Sequence, residues 1–465
     1  MQPIISVAES RRLDEIAAEP VDVLMRRAGL AVALRAVGLG VGYGNRVVVL
    51  AGTGNNGGDG YIAAAYLARR GVAVEVQALG EPGTGAARSA ATFAEQAGVE
   101  VVPAGRLTAP DLLIDAAFGS GFRGELPPAL VAWSAAGQQV LAVDVPSGLD
   151  GDTGAAAAGT FTAAATVTFQ ARKTGHLIGE GPERCGAVTV ADIGLPNPSP
   201  VWQLVEEVDA PRPQRPRTAH KWSSGSVLVV GGAPGLSGAA ALAGTAALRA
   251  GAGAVALACP QGLATAYEAA GVDLLVAPTG TGDVLEPGDA ASILELAERF
   301  DALVLGPGLG PVEPDLVRRV LAGWPGGLVL DADGLNAVTP ADIAERSEPT
   351  VLTPHAGEFS RLTGGEASWQ AAGELARATG AVVLLKGNPT FVMGDEQWVV
   401  TTGGPELATI GTGDVLAGMI GAYWAAGLPT EVAVRSAAFR HGALGRALAA
   451  DGPLLASRLA EEVGR

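Results

Sequence analysis

Short runs of β-branched and other apolar residues alternate along this chain with longer Ala-rich stretches whose apolar positions recur at helical spacing. Strand-length runs alternating with helix-length patterns predict an α/β fold. In the first half, strands are expected at 46–50, 72–78, 111–115, 140–145, 165–169 and 187–191. In the second half they are expected at 226–231, 254–258, 302–305, 327–331, 349–352, 381–385 and 397–401. Between the halves, residues 195–217 read "LPNPSPVWQLVEEVDAPRPQRPR", with six prolines. Proline fixes φ and removes an amide donor, so this segment reads as a linker or wrapping arm rather than part of a sheet. Arg212, Arg215 and Arg217 within it read as a solvated basic patch. Two unlike domains are expected, 1–210 and 218–465, with no repeat relating them.

Composition narrows the function. A chain of 465 residues exceeds one ordinary core, and 48% hydrophobic against 17% charged residues indicates globular domains with substantial interiors. A net charge of −17 disfavours nucleic acid and anionic membrane as partners. Aromatic residues, at 5%, are too sparse for base-stacking platforms. Cys185 and Cys259 lie far apart and outside any metal-binding spacing, so neither a disulfide framework nor a zinc site is expected. The first residues lack a basic region followed by an apolar run, which points to a cytoplasmic protein. The apolar stretch 238–258 is interrupted by glycines, Thr245 and Arg249 and makes a poor membrane span.

Candidate chemistry lies in the loops after the strands. In "VVVLAGTGNNGGDGYIAAAYLARRG", residues 47–71, Gly52, Gly54 and Gly57 satisfy GxGxxG after a strand, and Glu75 follows about where a ribose-binding acid would sit. The absence of a lysine there excludes a Walker A loop, and "NNGGDG" adds Asn55, Asn56 and Asp59. "LLIDAAFGSGFRGELP" places Asp115 at a strand end before a second glycine loop, and "VLAVDVPSGLDGDTG" places Asp144 and Ser147 at another. In an open parallel sheet such loops converge on one crevice outside the carboxyl ends of the strands. The plainer alternative is that each Asp caps a helix or turn. In the second half, "PELATIGTGDVLAGMIGAYWAAG", residues 405–427, opens a helix on a GTGD turn. Its glycine amides form an anion site, and Asp414 is either a base or the helix N-cap. His355 and Glu358 are spaced for one helical face.

Taken together, "AGTGNNGGDG", "DAAFGSGFRGEL" and "VDVPSGLDGDTG", with the helical start "EPVDVLMRRAGLAVA", resemble the NAD(P)H-hydrate epimerase domain over about residues 5–200. That resemblance implies a Rossmann-like three-layer α/β/α domain. It implies that Asn55, Asn56, Gly57, Gly58 and Asp59, with Gly119, Ser120, Gly121, Phe122, Arg123, Gly124 and Glu125, contact a hydrated nicotinamide nucleotide. Asp144 would bind the same substrate and act as the acid/base group, and Asn56, Asp115 and Ser147 would hold a potassium ion. Thr53 stands where that family usually has proline.

The motifs "GGAPGLSGAAALAGTAALRAGAGAV", "LGPGLG", "LDADGLNA", "LTPHAGEFSRL" and "LLKGNPTFV", together with the GTGD segment, resemble the ADP-dependent NAD(P)H-hydrate dehydratase domain over about residues 218–460. The resemblance implies a ribokinase-like α/β fold. Ala239, Gly308, His355 and Glu358 would contact the hydrate, and Asp414 would activate its 6-hydroxyl. Lys386, Gly387, Asn388, Pro389 and Thr390, with Gly411, Thr412 and Gly413, would hold ADP, accompanied by Mg2+. Leu407 and Ile410 replace the family's methionine and glycine, and the branched Cβ of Ile410 opposes a positive φ, so the nucleotide loop's conformation and the preference for ADP over ATP are left open by this position. The expectation is a bifunctional isomerase and lyase acting on small molecules, assembled as a homo-oligomer. The alternatives are an ATP-dependent ribokinase-like kinase fused to a Rossmann-type domain, and a nicotinamide-nucleotide binding protein without turnover.

Overall fold

The six apolar runs of the first half form strands Arg46–Ala51, Ala73–Ala78, Leu112–Ala116, Val140–Val143, Ala165–Phe169 and Ala187–Ala191. An edge strand, Glu100–Pro103, joins them in a seven-stranded sheet paired in parallel throughout. From Arg46–Ala51 the chain steps outward through Ala73–Ala78 to the edge, then crosses back to Leu112–Ala116 on the other side. That reversal is a topological switch point, where strand-end loops splay apart and leave a crevice. Alternation along Arg46–Ala51 sends Val47, Val49 and Ala51 into one core and Val48 and Leu50 into another. Helices Val21–Gly38, Asn55–Ala68 and Gly85–Gln96 supply residues to the first core, and Leu130 and Trp133 of Pro128–Ser134 to the second. The result is a three-layer α/β/α arrangement.

The structure, a computed structural model, describes residues 2–215, 217, 218, 220, 221, 224–270, 273–311 and 313–464. These separate into two units, Gln2–Trp202 and Gln203–Arg465. In the second unit the sheet runs in the order Leu275–Thr279, Ala254–Pro260, Ser226–Val230, Ala302–Leu305, Gly327–Leu330, Thr350–Leu352 and Val382–Leu385, all parallel. It continues into an antiparallel hairpin, Thr390–Met393 and Gln397–Val400. Helices Ser237–Ala250, Thr412–Ala425 and Thr430–Ala449 pack in its main core. The first two approach so closely that a Cβ on Gly418 would stand 2.0 Å from the Ala243 carbonyl oxygen.

Two readings of the proline-rich segment need correcting. Gln203 and Leu204, in the strand Trp202–Leu204, pair in parallel with Trp398 and Val399, so sheet does form there. All six prolines lie outside 201–210, which leaves its amide donors intact. Nor is the basic patch simply solvated: Arg212 donates to the Gly464 carbonyl, and Arg215 to those of Gly251 and Ala252. The stretch 238–258 is divided between a helix and a strand, and among the described residues no helix is long and apolar enough to cross a membrane.

Candidate active sites

At the switch point of the first sheet lies a cavity of about 740 Å³. The residues "NNGGDG" do not form an intervening loop. They are the first turns of Asn55–Ala68, whose N-cap Gly54 offers no side chain, so the free amides of the helix start face the crevice. Glycine is required here by close approach: a Cβ on Gly52 would stand 1.9 Å from the Ala117 carbonyl, and one on Gly57 1.9 Å from that of Gly52. Asn55, Asn56, Asp59, Gly119, Ser120, Gly121, Phe122, Arg123 and Asp144 line the cavity. Gly57 and Gly58 do not, being packed against Gly52 and Met25, and Gly124 and Glu125 are exposed outside its lining. Glu75 is turned elsewhere, accepting from Gln77 at 2.8 Å and facing Arg106 at 3.4 Å.

Asp144 follows directly on Val140–Val143 and is held at φ 67°, a left-handed conformation rare for a residue with a Cβ. Its Oδ2 accepts from the Ser120 amide at 2.8 Å. Its Oδ1 accepts from Thr168 Oγ1 at 3.0 Å and faces the Lys173 ammonium at 2.8 Å. Burial opposes the charge, yet Lys173 and the Ser120 donors outweigh it and hold the carboxyl well below the usual carboxylate range. His176 locks this pair. Its Nδ1 accepts from the Lys173 amide at 3.0 Å, which leaves Nε2 to donate to the Asp144 carbonyl at 2.8 Å. Burial, with the Lys173 charge, pushes the imidazole down to about 4, so it stays neutral in this role.

Asp115 and Ser147 lie behind the cavity rather than on it. Asp115 Oδ2 accepts from the Ser147 amide at 2.7 Å and Oδ1 from the Ser147 hydroxyl at 2.6 Å. Burial, opposed by those bonds, raises the Asp115 carboxyl to about 6. On the cavity side, Asn56 Nδ2 is buried without a hydrogen-bond partner among the described residues.

In the second unit, Gly411 takes φ 95° as the N-cap of Thr412–Ala425, and no side chain caps the helix start. Asp414 therefore lies in the first turn, and the N-cap alternative is removed. Burial, added to the negative charge of Asp331 and only partly offset by Lys386, raises the Asp414 carboxyl to about 7. Lys386 Nζ contacts Asp331 Oδ1 at 2.9 Å and Glu358 Oε2 at 3.5 Å, and a Cβ on Gly413 would stand 3.2 Å from it. The lysine therefore reaches the anion site as well as the nucleotide segment. His355 is the N-cap of Ala356–Thr363: its Nδ1 accepts from the Gly357 and Glu358 amides, and Glu358 accepts from the His355 amide. The two do share a helix start, as a reciprocal cap that aims the Glu358 carboxylate at Lys386. Ala239 and Gly308 meet, a Cβ on the glycine falling 3.0 Å from that of Ala239.

A second cavity of about 340 Å³ is lined by His355, Lys386, Gly387, Asn388, Thr390, Thr412 and Gly413, with Leu416, Ala438 and Gly442 giving it apolar walls. Pro389 and Gly411 are not part of its lining, and neither are Ala239, Gly308, Glu358 and Asp414. Ile410 is 97% exposed and its φ is not positive, because Gly411 carries the left-handed turn. The left-handed turn of this loop thus falls on Gly411 and asks nothing unusual of the Ile410 backbone. Leu407 reaches inward and packs against the main core.

Lys173, Thr168, His176, Asp331 and Arg11 do not stand out as site residues in the sequence. Asp331 lay inside a quoted motif; the others carried no local signal. Arg11, on the helix Val7–Glu15, lines the first cavity with Nη2 3.4 Å from where a Gly121 Cβ would stand.

Comparison with known proteins fits this division. A family model described as NAD(P)H-hydrate dehydratase matches residues 227–464, and one described as YjeF-related protein N-terminus matches residues 21–175. The chain is 36% identical over 490 residues to the bifunctional NAD(P)H-hydrate repair enzyme Nnr of Moorella thermoacetica, covering 95% of this chain and 92% of that one. It is also 36% identical over 482 residues to the enzyme of that name from Salinibacter ruber, covering 92% and 88%. Among solved structures, a ribokinase-like superfamily protein from Enterococcus faecalis superimposes with a TM-score of 0.50 at 22% identity, covering 57% of this chain and 94% of that one. That likeness shows a ribokinase-like fold.

Proposed function

The chain belongs to the family of bifunctional NAD(P)H-hydrate repair enzymes, and we propose how its two sites divide the work. The N-terminal cavity interconverts the R and S hydrates, and the C-terminal site dehydrates the S form with ADP. The observation that carries this reading is Asp414. It is a carboxyl brought to about 7, in the first turn of an uncapped helix, next to the Lys386–Asp331–Glu358 cluster. A base poised near neutrality beside amides that receive a phosphoryl group suits attack by a hydroxyl on a diphosphate.

Asp414 takes the proton of the 6-hydroxyl as that oxygen bonds to the terminal phosphorus of ADP, and AMP leaves. Cleavage of the C6–O bond then releases phosphate, and loss of a proton from C5 restores the ring double bond. Against the cost of burial, Asp331 and Glu358 keep Lys386 charged beside the Gly413 amide, where it meets the transferring group. The apolar walls of the second cavity suit the adenine. Mg2+ would be carried largely by the phosphates of the nucleotide and would offset their charge, since such ions are bound through few carboxylates and substrate phosphates.

In the N-terminal site, the amides at the start of Asn55–Ala68 and the guanidinium of Arg11 receive the phosphates. Asn56, Asp115 and Ser147 fit a potassium ion. Among the described residues Asp115 is a buried carboxyl without a cationic partner and Asn56 Nδ2 has no acceptor, so its amide is free to present oxygen instead. Such an ion would be held by these three residues and would supply charge compensation for the Asp115 carboxylate.

The test follows dihydronicotinamide absorbance after the protein is added to mixed R and S hydrate with ADP, ATP or no nucleotide. Full recovery with ADP, with AMP and phosphate released, supports both assignments. Recovery that stops once the S form is consumed removes the epimerase. A stable phosphorylated product in place of absorbance would mean a kinase.

A further inference from the structure

Asp59 and Asp144 share one cavity and meet opposite surroundings. Asp59 lies on the second turn of Asn55–Ala68, is 8% exposed, and makes no hydrogen bond or ion pair to any described residue. Asp144 is engaged by Lys173, Thr168 and Ser120. The two elements meet at Gly119, where a Cβ would stand 3.1 Å from both Asp144 Oδ2 and Oδ1 of Asn56, which precedes Asp59 by one helical turn. The other charged groups lining this cavity are Arg11, Asp14, Arg123 and Lys173. Arg123 is paired with Asp150 at 3.1 Å, and Lys173 with Asp144. Among the described residues no cation pairs with Asp59.

We propose that Asp59 is the proton donor of the N-terminal site and that Asp144 is its permanently ionised counter-charge. This rests on the epimerase reading of that site. Two carboxyl groups in one cavity, one stripped of partners and the other saturated with them, divide into an acid and an anion. Burial, reinforced by the negative charges of Asp144 and Asp14, pushes the Asp59 carboxyl well above the usual carboxylate range. Asp144 is held well below it.

The chemistry balances without any oxidant or reductant. Asp59 gives its proton to the 6-hydroxyl, the C6–O bond breaks, and water departs. The lone pair of the ring nitrogen forms the N1–C6 double bond, leaving a planar cation that the Asp144 carboxylate faces. Water then adds to either face of C6, and the proton it sheds returns to Asp59. Asp144 alone cannot begin this sequence, because it holds no proton to give.

The experiment measures exchange between the R and S hydrates by NMR on the full chain without ADP, so that the dehydratase site is silent. Asp59→Asn is expected to lower kcat by about 100-fold or more while the hydrate binds within about threefold of the wild-type affinity. Wild-type kcat is expected to fall as alkaline pH strips the proton from Asp59, and the residual rate of Asp59→Asn to lack that limb. An Asp59→Asn protein keeping a third or more of wild-type kcat overturns the assignment, as does a loss confined to KM. A wild-type kcat that rises steadily with pH overturns it without need of the variant. A wild-type chain that does not accelerate exchange at all removes the epimerase reading and this inference together. The Asp59→Asn result by itself leaves that reading standing.

Discussion

Asp414→Asn separates what this carboxyl does for catalysis from what it does to stability. The folded protein raises Asp414 from 3.8 to about 7, through burial first and then the charge of Asp331. The folded state therefore binds more protons than the unfolded state across that window. Stability is highest below 3.8, declines as pH rises to about 7, and is flat beyond. Holding the carboxyl at about 7 instead of 3.8 sets a ceiling of ~4 kcal/mol on the cost at pH 8. Asparagine keeps the size and removes the charge, so the variant is expected to be more stable by roughly 1–4 kcal/mol at about pH 8 and nearly equal to wild type at about pH 4. In thermal melts followed by circular dichroism, that is a rise of about 3–10 °C at the higher pH. The same base titration predicts wild-type dehydratase activity rising about tenfold between roughly pH 6 and 8, and an Asp414→Asn rate at least about 100-fold lower without that rise. A variant that melts at or below the wild-type temperature at the higher pH, or a wild-type rate flat through pH 7, would refute the reasoning.

Four further expectations follow from particular contacts. Lys173→Met leaves Asp144 buried without its cation, costing about 3–5 kcal/mol and abolishing epimerisation; retention of the wild-type exchange rate in the NMR assay contradicts this. Gly418→Ala drives a methyl into the Ala243 carbonyl 2.0 Å away, so the helix pair must separate at a cost of about 1–3 kcal/mol or more, and an unchanged melting temperature counts against that packing. Exchanging potassium for tetramethylammonium is expected to slow epimerisation and leave dehydration of pure S hydrate unchanged, with equal loss in both activities as the contrary result. Ile410→Gly is expected to alter ADP affinity by less than about twofold in calorimetry, because Gly411 already carries the left-handed turn.

The strands that form the two cores were legible because each is a short stretch dominated by Val, Leu, Ile, Ala or Thr between longer helical patterns, as buried parallel strands require. Among the strands missed, Glu100–Pro103 and Leu275–Thr279 are short sheet edges, each containing a proline, and Thr390–Met393 begins inside what read as a nucleotide-binding motif. The clustering of Asn56, Asp59 and Asp144 was foreseeable, since a parallel sheet delivers its strand-end loops to one side.

What the sequence determined by itself was the α/β class and the residue types at the strand ends. What it left open was the state of each group. Lys386 reaches Asp331 across 55 positions of chain, and the Ser120 amide reaches Asp144 across 24. Two aspartates that look alike in sequence are pushed in opposite directions, one denuded of partners and the other saturated with them. Only the tertiary structure decides this, because the charge a carboxyl carries depends on the solvent it loses and the cations folding brings to it, and neither is a property of its neighbours in sequence.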